Sequence, residues 1–544
     1  MPESALDAVQ TDANPEGGPI APACAPLTAF VGRTLRGPVD RPVRVRSFAD
    51  FQRHYGGLWQ PSPLSYAVEH YFEQGGRQAV IVRVANGAAP VTLSLPCGRD
   101  VLRLEALAPG TREFLRASVD YDRLDSSDER RFNLVIQRVR SPGSERIEEQ
   151  ETFRAVSVDP ASPCYVARVL LESKLVRVRG DVPLTRPDRT LMPGTNLPVG
   201  YVSSNPDGDD GRAITDYDVI GSAARRSGLF ALAAVDEIAF LYIPPLARTV
   251  DVGASALLVA ARYCRERHAM LIVDPPAAWD TVDDAVRAIE QLDFHSDSAL
   301  MFFPRIAVMD RLRGRTEVFG NGGAVAGMLS RSGAPVAALS RPEPEPVLRA
   351  GAKLARAMNP VDRRRLAAHG INVLQTVRNP VRERPALRTL ACGASASPDG
   401  SYLSQRRFVL STIGAIERGT RWCAARPRDP TTWAAVAQQI RRFLGELRSA
   451  GAFASATAGE AFLVICDERI NGDEGDIPDE PHVLNILVQF AAAHAGEYHS
   501  YMVSHSLRGS QVRAVVVNRL ETPLASVQRD VAARPSDGIE HRAH

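Results

Sequence analysis

Three compact apolar runs, IAFLYI (238–243), AMLIVD (269–274) and ALMFF (299–303), are each followed at once by proline: Pro244 and Pro245, Pro275 and Pro276, and Pro304. Each run has the length of a strand and is apolar on both alternating faces, so both faces must be covered. Proline then ends each strand, because it brings no N–H to the ladder. Stretches of helical period lie between the runs. Ala256, Leu257, Ala260, Ala261 and Cys264 share one face of the first, and Val282, Val286 and Ile289 share one face of the second. Apolar strands alternating with amphipathic helices predict an α/β fold with a parallel sheet buried on both sides.

Upstream, order is expected from Leu27. TAFVGRTL (28–35) reads as a buried strand, and RPVRVRS (41–47) alternates Val43 and Val45 with Arg44 and Arg46, as a half-exposed strand would. Ser47 with Asp50 resembles a capping box for a short helix ended by Gly56 and Gly57. Ser62 and Pro63 open a second helix, with Leu64, Ala67, Val68, Tyr71 and Phe72 on one face, and QAVIVRV (78–84) follows as a strand. Residues 88–202 change character, with short alternating runs such as VTLSL, VLRLEAL, FNLVIQRVR and KLVRVRG between polar turns. They read as a β-rich domain inserted into the first, with RPDRTLMPGTNLPVG and SSNPDGDDG leading back.

The last third reads as α+β. TWAAVAQQIRRFLGELRSAG (432–451) predicts a long helix with Trp433, Val436, Ile440, Phe443, Leu444 and Leu447 in one apolar stripe and Gln438, Arg441, Arg442 and Arg448 opposite. Strands EAFLVIC (460–466), HVLNILVQF (482–490), EYHSYMVSH (497–505) and QVRAVVVN (511–518) follow.

A chain of 544 residues has room for about three or four domains. Its 65 basic and 63 acidic residues leave a net charge of +2, too balanced for a protein that coats nucleic acid. Only Lys174 and Lys353 are lysines, so the basic surface is arginine, which pairs carboxylates in a fork and suits protein interfaces. The seven cysteines form no CxxC pair, which excludes a thioredoxin-type motif and a zinc ribbon and fits reduced thiols in a cytoplasm. Residues 1–26 lack the basic start and apolar middle of a signal peptide, and both chain ends are expected to be mobile. No apolar run approaches the ~20 residues of a membrane span, so no direct membrane insertion is expected.

A search for chemistry yields candidates with plain structural readings. Asp274 ends a strand where α/β enzymes place ligands, or it caps a turn before Pro275. GNGGAVAG (320–327) could open a helix, as phosphate loops do, but it lacks the Lys-Ser/Thr of such a loop and the spacing of a dinucleotide fingerprint, and it reads as a tight turn. CDERINGDEGDIPDE (466–480) is acidic without the EF-hand spacing, and Asn471-Gly472 signals a hairpin turn. His494, Glu497, His499 and His505 match no zinc-protease motif; His499, Tyr501, Val503 and His505 would share a strand face as half-buried residues. Ser330 and His268 have no GxSxG elbow or other activating context. The sequence therefore offers no catalytic residue, metal ligand or cofactor site.

The segments AFVGRTLRGPVDRPVRVRSFADFQRHYGG (29–57), LSYAVEHYFEQGGRQAVIVRV (64–84), IAFLYIPPL, ARYCRERHAMLIVDPP (261–276), ALMFFPRIAV, GGAVAGMLSR (322–331), HGIN (369–372), LRTL, RRF (406–408), WAAVAQQIRRFLGELRSAGAF and GEAFLVICDERIN run in one order. That ordered series resembles the contractile tail sheath proteins of phages and phage tail-like injection systems. The resemblance implies an α/β parallel-sheet core of subtilisin-like topology without a catalytic triad, an inserted β-rich domain and a C-terminal α+β domain. The expected division is an arm at 1–26, core at 27–87, insertion at 88–202, core again at 203–384, C-terminal domain at 385–519 and tail at 520–544.

The resemblance further implies a structural, non-enzymatic subunit. Its partners would be copies of itself or sheath paralogues in six-fold rings, an inner tube protein, and baseplate and cap proteins, assembled in the cytoplasm of the producing bacterium. In that family the helix matching 432–450 faces the tube, which makes Arg441, Arg442 and Arg448 the candidate tube-facing residues; the alternative is a solvated arginine face. Two departures stand out: no PGVYVEE-like strand in residues 1–26, and no terminal Pro-Ala-Glu-Phe motif. They leave open a specialised paralogue at the baseplate or cap end. The parallel sheet and Asp274 leave open an α/β hydrolase or nucleotide-binding enzyme.

Overall fold

A computed structural model of the chain describes residues 18–21, 26–125, 127–192, 194–197, 200–292, 294–331, 347–349, 351–376, 386–391, 402–453, 461–472, 483–491 and 498–515. Residues 1–17 and 22–25 of the expected arm, the acidic run 473–480, His494, Glu497, residues 516–518 of the last expected strand and the tail 520–544 lie outside the described residues.

The chain enters through β1 (Thr28–Gly32), β2 (Val43–Val45), α1 (Phe48–Tyr55), α2 (Pro63–Glu73) and β3 (Ala79–Arg83). Ser47 Oγ accepts from Asp50 N at 3.1 Å and so caps α1, while Gly56 ends it at φ 87°, a left-handed conformation open to glycine. Ser62 caps α2, with Pro63 at its first position.

Seven antiparallel-paired strands follow: β4 (Pro90–Cys97), β5 (Asp100–Pro109), β6 (Leu115–Asp120), β7 (Arg131–Val139), β8 (Ile147–Ser157), then after α3 (Val166–Val169), β9 (Val176–Val178) and β10 (Val202–Ser203). They form sheets β10-β6-β7-β8 and β4-β5-β9, which enclose their own core around Leu95, Leu104, Phe132, Leu134 and Ile136.

After α4 (Asp216–Ile220), the chain returns to the first sheet as β11 (Phe240–Tyr242), α5 (Ala254–Glu266), β12 (Met270–Val273), α6 (Val282–Leu292) and β13 (Ala299–Phe303). A side hairpin, β14 (Ile306–Asp310) and β15 (Arg315–Phe319), precedes α7 (Gly322–Ser330); β16 (Lys353–Leu354), α8 (Pro360–Ala368) and β17 (Ile371–Val373) complete this part. The main sheet has order β17-β13-β12-β11-β1-β3-β2, parallel except where β2 meets β3. Phe30 of β1 sits between Ile81 of β3 and Tyr242 of β11.

Strand alternation divides the side chains cleanly. Ala29, Val31, Leu241, Leu271 and Met301 point to the face covered by Ala260, Cys264, Ala285 and Ile289 of α5 and α6. Phe30, Ile81, Tyr242, Ile272 and Phe302 point to the face covered by Phe51, Leu64, Val68, Ala324 and Val325 of α1, α2 and α7.

The last part packs α9 (Leu403–Thr420) and α10 (Pro430–Ser449) on an antiparallel sheet of β18 (Phe462–Ile465), β19 (Leu484–Phe490), β20 (His499–Ser506) and β21 (Gly509–Ala514), with the short α11 (Glu468–Asn471) after β18. α9 is buried on both sides. Its Leu403 and Leu410 join the α/β core, and its Phe408, Val409, Ile413 and Ile416 join the C-terminal core. Within the expected arm, Ile20 is 3% exposed in that same C-terminal core, and Gln439 Nε2 donates to Gly18 O at 2.6 Å. Order therefore begins before Leu27.

Two turn readings are corrected. The glycine run 320–327 is no tight turn: α7 starts at Gly322. Asn471-Gly472 is no hairpin turn either. Asn471 ends α11, is 3% exposed, and bridges to β19, donating to Asn485 O at 2.9 Å and accepting from Asn485 N at 2.8 Å. A buried asparagine that satisfies both backbone groups of a neighbouring residue stabilises a packed corner.

Candidate functional site

Two of the chemistry candidates converge at the carboxyl end of the parallel strands. Asp274 does not cap the turn before Pro275. Its Oδ2 accepts from the Tyr242 hydroxyl at 2.5 Å, and its Oδ1 accepts from Gly322 N at 2.8 Å, the first residue of α7. A carboxylate at a helix start satisfies one of the orphan N–H groups and complements the helix dipole. Burial raises the Asp274 carboxyl above the ordinary range, against the pull of the Tyr242 hydrogen bond and Arg305. Both oxygens are thus committed within the chain.

The glycines around it serve close packing. A Cβ at Gly320 would lie 2.1 Å from Asp274 Oδ2, one at Gly322 2.1 Å from the Tyr242 ring, and one at Gly323 2.2 Å from Ala67 O in α2. The segment approaches its neighbours too closely to cradle a phosphate as well. The crevice beside it is filled: a Cβ on Gly32, at the end of β1, would meet Leu64 at 3.0 Å and Pro244 at 3.7 Å. The cavity left between Tyr66, His70, Tyr242, Arg248 and Arg305 measures about 30 Å³. A cofactor or drug-sized ligand needs roughly 300 Å³ or more, so this space suits a water.

The remaining candidates are also built into the fold. Ser330 Oγ donates to Ala326 O at 2.8 Å, inside its own helix. His268 is held at low pKa, about 4, first by burial. His499 and His505 share a face of β20 with Tyr501 and Val503, as expected, but His505 is wholly buried, not half-buried. Thr420 Oγ1 donates to Ile416 O at 2.7 Å and therefore accepts from His505 Nε2 at 2.8 Å; the other ring nitrogen then accepts from Ser510 Oγ at 2.7 Å. Among the described residues no group of three or more His, Cys, Asp or Glu could hold a metal ion.

The candidate interaction helix is α10. Asp429 caps it, accepting from Thr432 N at 2.7 Å, with Pro430 at its first position. Trp433, Val436, Ile440, Phe443, Leu444 and Leu447 face the core, as the stripe predicts. The three arginines differ. Arg442 lies at the middle of the exposed face, in a groove of about 390 Å³ that it shares with Trp422, Arg426 and Gln438. Arg448 is half-buried on the flank. Arg441 leans on the edge strand, and its Nη2 donates to Val464 O at 3.0 Å. Arg441→Ala should therefore lower stability by about 1 kcal/mol, read as a lower urea midpoint, while Arg442→Ala should leave that midpoint unchanged. Sequence periodicity puts all three on the polar side and cannot tell a strand-anchoring arginine from a free one.

The architecture is thus a parallel core with a filled crevice, a separate all-β unit between β3 and β11, and a C-terminal sheet under two helices. Solved structures with this architecture are tail sheath proteins, and the chain has their fold. The sheath tail protein of Listeria innocua is 12% identical, with a TM-score of 0.57 over 90% of this chain and 96% of that one. The sheath of PVC, an extracellular contractile injection system, in its contracted state is 12% identical, with a TM-score of 0.50 over 97% and 98%. No family profile and no curated protein matches by sequence.

Proposed function

We propose that this chain is a structural subunit of a contractile tail sheath, which polymerises around an inner tube and shortens to drive the tube through a target envelope. The observation that carries the reading is the extent of the fold likeness: 90% of this chain and 96% of the Listeria sheath tail protein are covered. In this reading the α/β part is the subtilisin-like sheath core without a catalytic triad, residues 88–202 are an insertion, and the chain is not an enzyme. Its partners are further copies in six-fold rings, the tube protein, and baseplate and cap proteins, brought together in the producing cell's cytoplasm. Among the described residues no helix is long and apolar enough to cross a membrane.

The mechanism follows from interface physics. Contacts between different surfaces of successive copies do not close and so build a helical stack. Contraction exchanges one packing of rigid subunits for a lower-energy one, with the fold itself unchanged. Contacts to the tube must break on firing, which suits exposed ion pairs worth about 0.2–1 kcal/mol each. In this reading Arg442, exposed on α10, makes such a contact, with Arg441 and Arg448 beside it; the exposure of Arg442 supports it.

Negative-stain microscopy of the chain expressed alone and with its tube protein tests the reading. Ringed tubes or short polymers are expected. A monomer that neither polymerises nor docks on a tube or baseplate would overturn it. Arg442→Glu should cut co-assembly with the tube several-fold without lowering the thermal midpoint of the free chain.

A further inference from the structure

Between α1 and the inserted β unit lies a groove of about 470 Å³, lined by Arg36, Arg53, Arg112, Arg140, Arg146 and one carboxylate, Glu148. Glu148 is already taken by Arg36 Nη2, at 2.6 Å. Arg53 is paired with Asp50 at 2.7 Å. The side chains of Arg112, Arg140 and Arg146 are exposed, and no described residue gives them a hydrogen bond or ion pair. Arg140 and Arg146 are held across one short turn, with Arg140 N donating to Arg146 O at 3.2 Å, so the two charges project from the same rim. Three guanidiniums without a partner among the described residues, gathered around one cleft, repel each other until carboxylates reach them.

We propose that this groove receives the acidic segment Asp473–Glu480 of a second copy of the chain. The segment carries Asp473, Glu474, Asp476, Asp479 and Glu480, five carboxylates in eight residues without a Lys or Arg. The described residues on either side of it, Asn471 at the end of α11 and Leu484 at the start of β19, belong to the C-terminal part, whereas the groove lies between α1 and the inserted β unit. A groove on one surface and its complement on another make a head-to-tail contact that propagates from copy to copy. The N-terminal residues are acidic too, at Glu3, Asp7, Asp12 and Glu16, four or five positions apart. At that spacing an extended chain sets neighbouring carboxylates roughly 13–18 Å apart, too sparse to meet three arginines in one groove. Charge density decides for 473–480.

The inference rests on the reading that copies of this chain assemble, but its test does not need a polymer. A fluorescent synthetic peptide of residues 471–483 is titrated with the full chain at low salt and followed by anisotropy. Binding is expected, weakening as salt is raised. The triple variant Arg112→Glu, Arg140→Glu, Arg146→Glu should weaken it by roughly tenfold or more, and the corresponding triple lysine variant, which keeps the charge, should largely restore it. All three positions are exposed, so circular dichroism of each variant should match the parent. No binding to the parent, equal binding to the glutamate variant, or binding of a peptide of residues 1–17 in place of 471–483 would each overturn the proposal. Any of these results from a parent that still forms ringed tubes removes the groove contact alone. A parent that binds the peptide and never polymerises removes the sheath reading instead.

Discussion

Gly323→Leu should yield no folded protein, and even Gly323→Ala should cost about 3 kcal/mol or more. α7 crosses α2 with glycine at both points of closest approach: a Cβ at Gly323 would lie 2.2 Å from Ala67 O, and one at Gly327 2.2 Å from Tyr71 O. Both obstacles are helix backbone, which cannot swing aside as the end of a side chain can. The helices would have to separate by about 1 Å to admit a methyl group, opening gaps among Val68, Ala324 and Val325 on the face they share. Overpacking a well-filled core ordinarily costs about 1–3 kcal/mol, and backbone obstacles put this site at the upper end or beyond. Gly445 in α10 is the control, because a Cβ there meets nothing within 4 Å. Gly445→Ala should stabilise by roughly 0.5–1 kcal/mol through helix propensity alone. Urea midpoints of the two alanine variants decide it, and a Gly323→Ala protein as stable as its parent would refute the close-packing account.

The same glycines show where sequence reading stops. Apolar strands, their prolines and the stripe on α10 were legible because each follows from a period along one chain segment. The glycine run looks like a turn in sequence, since nothing local says that Ala67 and Tyr71, some 250 residues away, press against it. α9 leaves no periodic signal for a related reason. It is buried on both sides, so it has no polar face, and Gln405, Arg407 and Glu417 are tucked in among its apolar residues, which erases the amphipathic signal. Asn471-Gly472 carries a strong hairpin signature, but the asparagine is more stabilising as a double hydrogen-bond partner for Asn485 than at a turn tip. On α10 the helix and its polar side were legible. The distinction between Arg442 and Arg441 depends on β18, which only the fold brings alongside.

Acid should loosen the chain from about pH 6.5 downward, before ordinary surface carboxylates titrate, and buried histidines are the cause. Burial holds His70 and His505 at about 4, against an ordinary value of 6.5. For His505 the nearby Glu417 opposes that shift and Arg421 adds to it, both less than burial does. A histidine depressed in the folded state binds fewer protons there than in the unfolded chain, so its contribution is complete above pH 6.5 and is lost as pH falls from 6.5 toward 4. Each shift corresponds to roughly 3 kcal/mol across that window, a large share of the ~5–15 kcal/mol that holds a domain folded. Glu69 acts in the opposite sense. Its carboxyl is raised to about 6, chiefly by burial, so it favours the folded state at low pH and that contribution fades as pH rises from 4.5 through 6. The loss should therefore begin between pH 6.5 and 6, before Glu69 offsets part of it. His505→Gln isolates the effect. Glutamine can still bond Thr420 or Ser510 but cannot take up a proton, so the variant should start less stable at pH 7.5 and lose less on acidification, with the two urea-midpoint curves converging near pH 4.5. Parallel curves for parent and variant from pH 7.5 to 4.5 would show that His505 takes up its proton as readily in the folded chain as in the unfolded one, and that the acid sensitivity arises elsewhere.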